Sequence, residues 1–212
     1  MGLLRLLFSA PRVFLLLAVL LLYSVIAHEV AHGWCALLFG DETAKRRGRL
    51  TLNPLSHLDL LGTLMLFLVG FGWARPVPVN YANLRQTRLG VFCVALAGCA
   101  ANVLIAVAAI GLQRSTWIRA GSVLSAILPV VARINIILGA FNLIPLPPLD
   151  GSKLLMSVLP NGAQRALARL ERYGFAILIL LLFTGWLNPL IALMERLVSA
   201  GIGLLFSGTG AA

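Results

Sequence analysis

Residues 13–33 read VFLLLAVLLLYSVIAHEVAHG and join a long apolar run to two histidines and a glutamate. From Val13 to Ala27 only Tyr23 and Ser24 interrupt the hydrocarbon side chains. A helix with this composition is apolar around its whole circumference, as a bilayer-spanning segment is, and lacks the polar face of a helix on a soluble core. The stretch therefore predicts a membrane-spanning helix with chemically reactive residues in its second half.

The two histidines in this helix are spaced for metal binding. His28 and His32 are one helical turn apart, so they face the same way and can bind a single ion. Glu29 lies beside them and completes the HExxH pattern of zinc hydrolases. The alternative is a pair of structural histidines, hydrogen-bonded inside a helix bundle. The adjacent glutamate favours the metal site.

The composition is that of a membrane protein. Hydrophobic residues make up 60% of the 212 residues and charged residues 11%, against about 25% charged residues in typical soluble domains. A net charge of +10 would suggest nucleic-acid binding in a soluble protein, but in a membrane protein basic residues set the orientation. We therefore expect no nucleic-acid partner. A cleaved signal peptide fits less well, because the apolar run continues into the histidine motif without a cleavage site.

The apolar segments predict an all-α polytopic membrane protein with one domain, residues 1–212. A three-helix catalytic core is expected over about residues 12–155, and one or two C-terminal helices over about residues 163–206. The expected helical segments run from about Arg12 to Leu38, Leu89 to Leu112, Ser122 to Ile144, Phe175 to Leu187 and Leu190 to Phe206.

Shorter patterns between the first two spans predict other structure. Leu60–Gly72 is apolar but too short to cross, which favours a re-entrant or interfacial piece. Arg49–Pro54 alternates like a strand, and the prolines of Trp73–Asn80 favour an extended chain. We therefore expect a small membrane-associated strand element. Its edge at Val77–Val79 could hold an unwound substrate peptide by strand addition.

Basic residues predict the orientation in the membrane. Most Lys and Arg residues lie in loops 41–88 and 151–172, and few lie at the N-terminus or near residue 117. By the positive-inside rule, the basic side is cytoplasmic. The second half of the HEVAH helix and Asp150 both fall on that side. This predicts a multi-pass protein of the cell membrane with its active site towards the cytoplasm.

Asp150 is the best candidate for a third metal ligand. A catalytic zinc ion usually takes three protein ligands and keeps one position open. An acid at the end of an apolar span is costly unless it pairs with or binds something. Asp150 could instead cap a helix that begins near Ser152. His57 and Cys35 are further potential ligands, but their settings favour structural roles.

These residues together predict metal-assisted amide hydrolysis. A zinc-bound water has a pKa of about 7. Glu29, next to the ligands, can take the proton of that water and later deliver a proton to the leaving amine. Asn102 is a single amide in the second span, where it could act in the site or bridge helices structurally.

Several motifs together resemble the site-2 protease family of intramembrane zinc metalloproteases, especially its short prokaryotic members without a PDZ or CBS domain. The resemblance covers about residues 23–155. It rests on HEVAH at 28–32, GRLTLNP at 48–54 with His57 and Asp59, FGWARPVPVN at 71–80, Ala97–Gly98 with Asn102, and FNLIP at 141–145 through LDG at 149–151.

The resemblance implies one zinc ion held by His28, His32 and Asp150, with Glu29 as the general base. It also implies that Asn102 helps to hold the substrate backbone or the developing oxyanion, and that the substrates are membrane-spanning proteins in the lipid bilayer. The chain departs from the family in one place: it has Gly98-Cys99 where the family usually has Gly-Pro. We expect the missing proline to alter a helix start near Asn102.

Two other functions are compatible with parts of the sequence. A catalytically inactive homologue would bind membrane helices without cutting them, but the intact Glu29 argues against it. A metal transporter would need ligands along a path through the membrane, whereas the polar groups here cluster towards one side. The sequence leaves the oligomeric state open.

Overall fold

The computed structural model describes residues 8–62, 64 and 74–207. Four helices within these ranges are long and apolar enough to cross a membrane: Pro11–Leu38, Thr87–Arg114, Val123–Asn142 and Asn188–Ser207. This confirms the prediction of an all-α polytopic membrane protein. The helices are α1 (Pro11–Leu38), α2 (Thr87–Arg114), α3 (Val123–Asn142), α4 (Asp150–Val158), α5 (Asn161–Phe183) and α6 (Asn188–Ser207).

The chain forms two compact units, Met1–Arg85 and Gln86–Ala212. The first contains α1, a one-turn helix Thr43–Arg46 and two short 3-10 turns. Helix α1 has Pro11 in its first turn, where the missing N–H costs nothing. It ends before Gly40, whose φ of +100° is a left-handed conformation that glycine adopts without strain. At about 1.5 Å per residue, the 28-residue helix is about 42 Å long.

The expected strand element does not form within the described residues. Residues 49–53 and 74–80 are irregular. Pro76 and Pro78 have no N–H to donate to a strand ladder, and the carbonyls of Arg75 and Pro76 accept hydrogen bonds from the Arg49 side chain. Most of the predicted re-entrant piece Leu60–Gly72, together with Trp73, lies outside the described residues.

A buried carboxylate holds the first unit together after α1 ends. Asp41 is fully buried and accepts hydrogen bonds from the backbone N–H and hydroxyl of Thr43, the N–H of Asn80 and the side-chain amide of Asn83. Burial alone would raise the pKa of Asp41, but these hydrogen bonds lower it below its ordinary value of 3.8. The charged carboxylate thus ties the end of α1 to residues 80–83.

In the second unit, small side chains allow close packing of α2 against α3. Ala109 of α2 forms a buried cluster with Leu128 and Ala132 of α3. A Cβ added at Gly139 of α3 would lie 3.6 Å from the Cβ of Asn102 on α2. Small residues at such interfaces let helices approach closely in lipid, where no hydrophobic force drives them together.

Of the remaining helices of this unit, α4 and α6 pack on α2 and α3, and α5 packs on α4. Helix α4 packs against α2, and α6 packs against α3. An ion pair between Arg133 of α3 and Glu195 of α6 joins two spanning helices near their midpoints. The expected apolar segment Phe175–Leu187 is the second half of the longer helix α5, which also includes the basic residues before it.

Gly151 fixes the start of α4 against the end of α3. A Cβ at this position would lie 2.3 Å from the carbonyl oxygen of Leu143 and 2.4 Å from that of Ile144. Backbone atoms cannot rotate aside as a side chain can. The first turn of α4, which carries Asp150, therefore lies directly on the backbone that ends α3.

We predict that Asp41→Asn lowers the thermal unfolding midpoint of the protein in detergent at pH 7. The side-chain amide of asparagine has one acceptor oxygen where aspartate has two, and its NH₂ group would face the donors of Thr43, Asn80 and Asn83. Each buried polar group left without a hydrogen bond costs about 1–3 kcal/mol. Because the pKa of Asp41 is lowered in the folded state, its stabilisation is complete above the ordinary pKa of 3.8 and is lost as the pH falls below it. The acid-dependent loss should therefore be smaller in the variant. Glu42→Gln, which removes an exposed ion pair with Arg46, is the control.

We also predict that Gly151→Ala destabilises the protein by about 1–3 kcal/mol or more, because the methyl group collides with two carbonyl oxygens. Gly162→Ala is the matched control in α5: its Cβ would have nothing within 4 Å, and alanine favours the helix by up to about 1 kcal/mol. Thermal unfolding of both variants measures the difference. Equal midpoints would contradict the steric argument.

Candidate active site

His28 and His32 converge on one point beside α1. Both are buried, their Nε2 atoms lie 3.0 Å apart and their rings meet edge to face at 85°. Two nitrogens that bind one tetrahedral zinc ion at about 2.0–2.1 Å lie about 3.3 Å from each other. The donor atoms and their separation therefore fit one zinc ion.

Glu29 is anchored by a backbone amide from a distant part of the first unit. Its Oε2 accepts a hydrogen bond of 2.8 Å from the N–H of Val77, 48 residues away. One amide of the expected binding edge Val77–Val79 is thus already used, and the N–H of Asn80, the next residue, donates to Asp41. This argues against substrate binding by strand addition at Val77–Val79.

Gly33, which follows the histidine motif, lets the segment around Val77 pack closely against α1. A Cβ at Gly33 would lie 2.5 Å from Cδ2 of Leu50 and 2.8 Å from Cγ1 of Val77. Both side chains thus pack onto the backbone of α1 immediately after His32. A side chain at position 33 would force Leu50 and Val77 to shift away from α1.

Arg49 supports the same segment from the other side. Its side chain is 9% exposed and donates to the carbonyls of Arg75 at 2.8 Å and Pro76 at 3.2 Å. Burial and the charge of Arg75 lower the pKa of Arg49, and the charge of Glu29 raises it. No functional role was expected for Arg49; the available signal was its place in the GRLTLNP motif at 48–54.

His57 also contacts the segment that Arg49 binds. It is fully buried, with Nε2 2.8 Å from the carbonyl oxygen of Thr51. Its own carbonyl accepts the N–H of Arg75 at 2.8 Å. Through these contacts His57 joins the loop at Thr51 to the loop at Arg75, which is a structural role.

Asp150 lies in the second unit as the first residue of α4. The alternative of a cap for a helix near Ser152 is wrong, because the helix begins at Asp150 and Leu149 occupies the cap position. The carboxylate of Asp150 is an oxygen ligand of the kind that zinc accepts.

Asn102 is fully buried in α2 and faces α3 at Gly139. The expected effect of the missing proline is wrong: α2 begins at Thr87, so Cys99 lies in the helix interior and marks no helix start. The unbroken helix sets the orientation of Asn102. Of the predicted site residues, His28, Glu29 and His32 thus lie together in the first unit, and Asn102 and Asp150 lie in the second.

Comparison with known proteins agrees with this chemistry. The model of peptidase family M50 matches residues 109–185. The chain is 38% identical over 177 residues to "Putative zinc metalloprotease YwhC" of Bacillus subtilis, covering 79% of this chain and 80% of that protein. It is 36% identical over 188 residues to "Putative zinc metalloprotease Rip2" of Mycolicibacterium smegmatis, covering 85% and 71%.

A third relative is "Putative zinc metalloprotease Rip2" of Mycobacterium tuberculosis, 32% identical over 195 residues, with 85% of this chain and 75% of that protein covered. No solved structure matches the chain. Similarity at this level over most of both chains establishes the family. The chain belongs to peptidase family M50, the site-2 protease family of membrane-embedded zinc metalloproteases.

Proposed function

We propose that this protein hydrolyses peptide bonds in or near the transmembrane helices of its substrates, with one zinc ion and Glu29 as the general base. The observation that carries the proposal is the pair of converging histidines beside an anchored carboxylate, all on a helix long enough to span the bilayer. A soluble peptide would not need this chemistry within an apolar helix. Membrane-embedded polypeptides would.

His28, His32 and Asp150 are the proposed ligands of that ion. The histidine nitrogens have the separation that one zinc ion requires. Asp150 adds a carboxylate whose place at the start of α4 is fixed by the contact of Gly151 with the backbone of α3.

Zinc, when bound, supplies Lewis-acid chemistry that makes water nucleophilic near neutral pH. Glu29 accepts the proton that water loses as its oxygen adds to the scissile carbonyl carbon. When the C–N bond breaks, Glu29 returns that proton to the leaving nitrogen, so the products are a carboxylic acid and an amine. The Val77 amide holds the carboxylate in place through both transfers.

Asn102 is proposed to hold the substrate backbone or to stabilise the oxyanion. A fully buried amide is rigid, and a preorganised donor is most effective where charge develops. The basic loops support a cytoplasmic position for the site in the cell membrane.

Glu29→Gln is predicted to abolish cleavage and to leave zinc bound. The amide cannot accept the proton of water, and general-base catalysis contributes roughly 10²–10⁴ to the rate. Cleavage of a transmembrane reporter in proteoliposomes and zinc content by mass spectrometry measure the two effects. Equal cleavage by wild type and variant would contradict the base assignment. A wild type that binds reporter helices without cutting them would identify an inactive homologue.

Asp150→Asn is predicted to reduce zinc content and cleavage together. Loss of one of three ligands removes a negative charge and a strong oxygen donor from the ion. Asp59→Asn is the control. It makes the same substitution of carboxylate by amide at a residue whose Oδ1 accepts a hydrogen bond from the N–H of Gly62. Full zinc content in Asp150→Asn would overturn the three-ligand site. Zinc flux into vesicles by the wild type would instead favour a transporter.

A further inference from the structure

We propose that Arg49 is a positioning residue for Glu29 and acts through the backbone of residues 75–77. The inference rests on the proposed role of Glu29 as the base. It assigns a function to a buried cation that donates to the backbone carbonyls of residues 75 and 76. Its basis is a continuous set of hydrogen bonds within the first unit.

The first step is the contact between Arg49 and the chain. One terminal nitrogen of its guanidinium donates to the carbonyl oxygens of both Arg75 and Pro76. Consecutive carbonyls that accept from one rigid cation cannot rotate independently. The peptide group between Pro76 and Val77 is thereby held in one orientation.

The second step is the direction of the next amide. Since the carbonyl of Pro76 and the N–H of Val77 belong to one planar peptide group, fixing the carbonyl also fixes the N–H. That N–H donates to Oε2 of Glu29 at 2.8 Å. Arg49 thus determines the direction of the Val77 N–H that donates to Glu29, although Arg49 itself contacts only the carbonyls that precede this N–H.

The third step is that this segment has few other ways to hold its position. Pro76 and Pro78 have no N–H, and the N–H of Arg75 is donated to the carbonyl of His57. Side-chain packing of Val77 on Gly33 limits its distance from α1 but does not orient its peptide group. The orientation therefore depends on the cation at Arg49.

Loss of the guanidinium should affect Glu29 and spare the metal ligands. His28 and His32 are held by the backbone of α1 itself. Without Arg49, the carbonyls of Arg75 and Pro76 lose their donor, and the peptide group that leads into the buried Val77 can turn. A carboxylate without its fixed donor samples other rotamers, and misplacement of a catalytic group by about 1 Å can cost about 100-fold in rate.

The experiment compares Arg49→Met, Arg49→Lys and Arg47→Met in nanodiscs. Methionine keeps the apolar stem and removes the donor, lysine keeps one charged donor on a shorter chain, and Arg47 is an exposed arginine two positions away. The measurements are kcat and KM on a fluorogenic transmembrane reporter, zinc content, and amide hydrogen exchange in the peptide that contains Arg75 and Val77.

For Arg49→Met we expect kcat to fall at least tenfold with KM within twofold, zinc content unchanged, and exchange at residues 75–77 at least tenfold faster. Arg49→Lys should recover part of both kcat and protection. Arg47→Met should match the wild type. Val77→Pro, which removes the donor to Glu29, should lower kcat similarly, and the double variant with Arg49→Met should lose no more than either single change.

Unchanged exchange in Arg49→Met, loss of zinc, no recovery with lysine, or additive losses in the double variant would each overturn the proposal. If Arg49→Met does not fold, Arg49→Lys and Val77→Pro decide by the same measurements. A wild type that holds zinc but cuts no reporter would refute the proposed protease function alone. The exchange data would still decide whether Arg49 orients residues 75–77.

Discussion

The hydrogen bond from the Val77 amide to Glu29 is the contact on which the first unit depends. A carboxylate on an apolar helix is costly unless a donor satisfies it, because the bilayer offers no water in its hydrocarbon region. The chain meets this requirement with a backbone amide from an irregular segment. That segment must in turn have its own polar groups satisfied, which Arg49 and the carbonyl of His57 do.

Two further sets of charged side chains are also satisfied by groups of the protein. Asp41 gathers four donors from three residues, and Arg133 is paired with Glu195 between two spanning helices. Each is a charge with its partners built in. Side-chain and backbone groups of the protein likewise satisfy polar groups of residues 74–80, which are irregular and lie in no strand.

Hydropathy was sufficient to predict the spanning helices, because a run of apolar residues is a local property of the sequence. The bounds of α2 and α3 agree with the expected ones within two residues. The histidine pair followed from its spacing on a helix. The hydrogen bond that holds Glu29 could not be predicted in this way. Its donor, the N–H of Val77, is 48 residues away, and any backbone N–H can donate to a carboxylate. The proline pattern correctly excluded a helix at residues 74–80. The expected strand did not form there; the carbonyls of Arg75 and Pro76 accept from the Arg49 side chain.

Steric contact, more than loop conformation, sets the position of the reactive groups. A glycine follows each motif directly: Gly33 follows HEVAH, and Gly151 follows Leu149-Asp150. Because each glycine lacks a Cβ, another part of the same unit can pack against it. At Gly33 the neighbours are side chains, and at Gly151 they are backbone carbonyls. A helix terminus that rests on backbone atoms has less freedom than one that rests on side chains. Asp150 is accordingly held by the main chain, whereas Glu29 depends on a hydrogen bond that the cation at Arg49 must orient.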